Sequence, residues 1–142
     1  MGKTWLKIAG WFLLVIGAIS GLAVLFSLFI FSRPGYQSGA PGSGATMYTP
    51  FVLFGIVIAV VHIFLGTNLI KLKSWAILPT LIFSAILGLL FLWGIMMWQT
   101  VRSDYVRLFF YFFSEKNIFF LIAYIFVSII TLSNLSYKNE VK

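Results

Sequence analysis

The 142 residues include no cysteine, three acidic side chains and one histidine. Without thiols the chain has no disulfide framework, no thiol redox chemistry and no cysteine-ligated metal. The acids are Asp104, Glu115 and Glu140, and all three lie outside the long apolar runs. The convergent ionisable groups that acid–base or nucleophilic catalysis needs are therefore missing, and the chain reads as a non-enzyme. A single histidine supplies a single ligand, so no metal, haem or other cofactor is expected. The glycines of Gly35 to Gly44 lack the Lys and Ser/Thr that complete a phosphate-binding loop. No internal repeat supports an inverted-repeat transporter.

Charge of either sign is scarce. Charged residues make up 9% and hydrophobic ones 61%, against about 25% and about 45–50% in soluble domains. No Lys, Arg, Asp or Glu falls between Lys7 and Arg33, Arg33 and Lys71, Lys73 and Arg102, or Lys116 and Lys138. Each gap accommodates the roughly 20 apolar residues that cross a hydrocarbon core. The composition predicts an all-α integral membrane protein, a single domain over residues 1–142 built as a four-transmembrane-helix bundle. The net charge of +7 sits at the ends of the apolar runs, where it anchors and orients helices; it does not form a nucleic-acid patch.

Helix one is expected over 6–31, ended by Arg33, Pro34 and Gly35. Its basic start resembles a signal peptide, but the apolar run is too long for one, which predicts an uncleaved signal-anchor. Gly2 lacks the Ser or Thr at position 6 that myristoylation requires, since Leu6 stands there. Residues 32–49 are rich in Gly, Ser, Pro and Ala and predict a flexible loop carrying Tyr36 and Tyr48. Helix two is expected over 50–70, with Pro50 in its first turn. The short basic turn Lys71-Leu72-Lys73-Ser74 makes helices two and three antiparallel neighbours. Helix three follows over 75–98, with Pro79 as a tolerable kink. Over 101–113, Val101, Tyr105, Leu108, Phe109, Phe112 and Phe113 recur at helical spacing while Arg102, Ser103, Asp104 and Arg107 lie elsewhere on the wheel, predicting an interfacial amphipathic helix, with a simple extension of helix three as the alternative. Helix four is expected over 118–135.

Counting basic residues in the connections sets orientation. Lys3, Lys7, Lys71, Lys73, Lys138 and Lys142 fall on one side and Arg33, Arg102, Arg107 and Lys116 on the other, which predicts cytoplasmic N- and C-termini. Trp5, Trp75 and Tyr137 mark one interface, and Tyr48, Trp93, Trp98 and Tyr105 the other.

Small residues make the strongest pattern within the spans. Gly10, Gly17 and Gly21 share a face of helix one; Gly55, Ala59 and Gly66 share a face of helix two; Ser84 and Gly88 share a face of helix three. Close backbone approach across such residues drives helix association in lipid, and packing within one chain is the first use for it. His62 lies on the small-residue face of helix two. Tyr124, Ser128 and Thr131 form a polar stripe on helix four at i, i+4 and i+7. A neutral His62 is expected to hydrogen-bond to Tyr124, Ser128 or Ser84 near the midplane, with a proton-relay or ligand role as the functional counterpart.

These features predict a non-catalytic membrane subunit or accessory protein. Its partners would be the lipid bilayer and other membrane subunits or copies of itself, not nucleic acid, and its place a bacterial cytoplasmic membrane. The competing reading is a homo-oligomeric channel or small transporter using His62 and the helix-four stripe.

Overall fold

The structure, a computed structural model, describes residues 2–31, 45–98 and 118–135. Four α-helices account for nearly all of them: α1 (Gly2–Phe31), α2 (Ala45–Ile70), α3 (Ile77–Trp98) and α4 (Ile118–Ser133), with a 3₁₀ turn at Ser74–Ala76 before α3. Three apolar stretches, Gly2–Phe29, Val52–Ile70 and Ser74–Met97, are long and apolar enough to cross a membrane. α4 is largely apolar but has 16 residues, about 24 Å of helix against a hydrocarbon core of about 30 Å.

Several boundaries differ from those read off the apolar runs. α1 begins at Gly2, because Lys3, Thr4 and Trp5 include no breaker and lysine is a good helix former. α2 begins at Ala45 and not at Pro50, so Ala45–Thr49, expected as loop, belongs to helix. Pro79 does not kink a helix already under way. The α-helix starts at Ile77 after the 3₁₀ turn, which places Pro79 third in the first turn, where a missing N–H has no intrahelical partner to lose. α4 ends at Ser133, two residues early, and Asn134 and Leu135 turn back onto Thr131 and Leu132 through N–H···O=C bonds of 3.2 and 3.1 Å. The remainder of the expected loop, the amphipathic segment over 101–113 and the residues after Leu135 lie outside the described residues.

The described residues fall into two compact units. The first comprises Met1–Phe12 with Leu65–Lys142. Here the N-terminal turns of α1 lie against α2 at Gly10, where an added Cβ would come within 2.7 Å of the Gly66 carbonyl oxygen and 2.8 Å of the Ile70 side chain. The same turns meet α4: the Phe126 ring is 6.2 Å from that of Trp5, edge to face, and 5.3 Å from that of Phe12. Gly2 packs on the Asn134 side chain, whose amide donates to the Ile130 carbonyl at 2.7 Å. α3 packs along α4. Leu6, Ala9, Leu69, Ile77, Leu87, Phe91, Leu121 and Val127 are buried in this unit.

The α2–α3 turn closes in a Schellman arrangement. The Lys73 N–H donates to the Asn68 carbonyl at 3.0 Å and the Leu72 N–H to the Leu69 carbonyl at 2.9 Å. Leu72 takes the left-handed position with φ 56°, a place that usually falls to glycine.

The second unit, Leu13–Phe64, pairs the rest of α1 with α2 in antiparallel register. Gly17 meets His62, Ile63 and Ala59; Gly21 faces Ala59; Gly55 meets Val24. Leu13, Ile16, Ala59 and His62 are its buried side chains.

Candidate functional site

Hydroxyl side chains concentrate where α3 meets α4. Thr80, Ser84 and Gly88 stand at i, i+4 and i+8 on α3, one face of a 3.6-residue helix, and all three are buried. Tyr124, Ser128 and Thr131 occupy the matching face of α4. The Ser84 and Ser128 hydroxyls share a hydrogen bond of 2.9 Å. A Cβ on Gly88 would lie 3.8 Å from that of Tyr124, so the two helices run antiparallel and Thr80 comes level with Thr131. The Tyr124 ring lies 5.7 Å from that of Phe91, tilted by 40°.

The hydroxyls also bind their own helices. Ser84 donates to the Thr80 carbonyl at 2.8 Å, and Thr131 donates to the Val127 carbonyl at 2.8 Å. Such back-bonding lets a helix carry a hydroxyl in an apolar medium without exposing an unpaired group. The Thr80 hydroxyl is different. It is fully buried and has no hydrogen-bond partner among the described residues.

His62 belongs to the second unit, where it is fully buried. Its Nδ1 lies 2.7 Å from the Ile58 carbonyl oxygen, one turn earlier on α2; with the proton on that nitrogen it donates there, which fixes the ring along its own helix. Its stem is the surface that Gly17 of α1 approaches: a Cβ on Gly17 would stand 2.9 Å from the His62 Cβ. The absence of a side chain at 17 is what lets α1 pass so close to an imidazole-bearing turn.

The structure thus brings Ser84, Gly88, Tyr124, Ser128 and Thr131 together in one unit and Gly17, Gly21, Gly55, Ala59 and His62 together in the other. Gly10 meets Gly66 in the first. Thr80 is not among the polar residues expected in the spans, and its signal in the sequence is its place four residues before Ser84 on the same face. Chemically, the α3–α4 seam is a set of neutral hydroxyls, of which those of Ser84, Ser128 and Thr131 bond to one another or to carbonyls. Comparison with protein-family models, curated proteins and solved structures finds no match to this chain.

Proposed function

We propose that the chain is a four-span membrane protein of the bacterial cytoplasmic membrane, with both termini on the cytoplasmic side. It serves there as a non-catalytic subunit or accessory protein that assembles with, stabilises or regulates a larger membrane complex. One observation carries the reading. Buried hydroxyls bond between and along the chain's own helices, while the outward faces are largely apolar, as at Leu22, Phe26, Leu89, Met96 and Ile122, all more than half exposed. Such faces offer lateral contact to lipid and to other spans. The shortness of α4 is compatible with crossing, because bilayers thin locally around short spans at modest cost.

Purification from native membranes in mild detergent tests the reading. A heteromer of fixed stoichiometry, whose other subunit falls in abundance when this chain is deleted, is the expected result. A uniform homo-oligomer that conducts ions in liposomes, and stops when His62 becomes Ala in a normally assembled variant, overturns it in favour of a channel.

A further inference from the structure

Among the described residues only four carry a full charge, and all four are lysines: Lys3, Lys7, Lys71 and Lys73. They belong to one compact unit, and the packing inside it gathers them at one end. Gly10 lies against Gly66 and Ile70. Lys7 stands about one turn before Gly10 and Lys3 one turn further, while Lys71 and Lys73 come directly after Ile70. Each lysine is exposed. Two tryptophans share that end, Trp5 between the lysines of α1 and Trp75 in the 3₁₀ turn, exposed by 43% and 45%. Trp5 is held in place by the Phe126 ring.

We propose that this lysine and tryptophan rim is a docking surface for anionic phospholipid headgroups. The inference rests on the membrane-spanning part of the proposed function and on no particular partner complex. Ammonium groups at the headgroup level donate to phosphodiester oxygens, and a lipid with net negative charge gains from all four of them where a zwitterionic one does not. Indole rings at the same level hold the rim at the depth where those phosphates lie. Each lysine near an anionic surface raises affinity roughly fivefold, and the effect is screened by salt.

The test uses the full chain reconstituted in vesicles of phosphatidylcholine and phosphatidylglycerol, extracted gently, with the retained lipid measured by native mass spectrometry. Retained lipid is expected to be enriched in phosphatidylglycerol by at least about fivefold over the bulk. Enrichment should fall to the bulk ratio in Lys7→Gln/Lys71→Gln/Lys73→Gln, whose helicity stays that of the parent because the replaced side chains are exposed. Retention at the bulk ratio by the parent, or undiminished enrichment in the variant, overturns the proposal. So does displacement of the lipid by free glycerol phosphate at low salt, which would assign the surface to a soluble phosphate compound. Failure of the protein to float with vesicles at all would instead overturn the membrane-spanning reading.

Discussion

Gly10 and Gly21 occupy the same helix and ask different things of it. A methyl group at 10 would meet a carbonyl oxygen at 2.7 Å and the Ile70 backbone nitrogen at 3.0 Å, atoms that move only if a helix moves, whereas at 21 the nearest neighbour is the Ala59 Cβ at 3.9 Å. Gly10→Ala should therefore cost about 1–3 kcal/mol through forced separation of α1 and α2, while Gly21→Ala should be near neutral. Equilibrium unfolding in mixed micelles distinguishes them, and equal effects would show that the glycine contacts do not set stability. The hydroxyls divide in the same manner. Ser84→Ala removes a bond between helices and should cost about 0.6 kcal/mol, a typical value for such bonds in membrane proteins. Thr80→Val removes a buried hydroxyl that has no partner among the described residues, so it should leave stability unchanged or raise it by about 1 kcal/mol. A clear loss on Thr80→Val would mean that this hydroxyl holds a water or another group.

At the scale of the element, the apolar helices were legible because stretches free of charge are long, and their ends were not, because these helices lack the polar caps that mark ends in soluble proteins. Which face each helix buries is equally hard to read from hydropathy. Exposed Leu22, Leu25 and Leu89 are as apolar as buried Leu6, Leu13 and Leu69, since lipid and protein interior reward the same side chains. Size and polarity tell more: Gly10, Gly17, Ser84 and Ser128 all mark real contacts. The α2–α3 turn was legible as tight and basic, but its strained centre was not, because leucine at a left-handed position has no signature. Leu72→Gly should stabilise the hairpin by about 0.5 kcal/mol, the left-handed penalty relieved less the added unfolded-state entropy. Leu72→Ala keeps the penalty and should show no gain; a gain from both would trace the effect to the lost side chain and not to φ.

For the molecule as a whole, the number of crossings turns on α4, since its 16 residues would have to span a core usually crossed by about 20. A chain without native cysteine lets each connection be tagged singly and probed with a membrane-impermeant maleimide in intact and permeabilised cells. The excess of lysine near the N-terminus and the α2–α3 turn predicts that Thr4→Cys and Ser74→Cys react only after permeabilisation, and that Ser38→Cys and Ser103→Cys react in intact cells. Ser136→Cys then decides the fourth crossing. Protection in intact cells means that α4 traverses the bilayer, with local thinning or the adjoining residues making up its length. Reaction in intact cells, with the other four tags behaving as predicted, would leave three spans and a C-terminus on the outer side. In that case Lys138 and Lys142 would move to the outer count, leaving Lys3, Lys7, Lys71 and Lys73 inside against Arg33, Arg102, Arg107, Lys116, Lys138 and Lys142 outside, the reverse of the usual cytoplasmic excess.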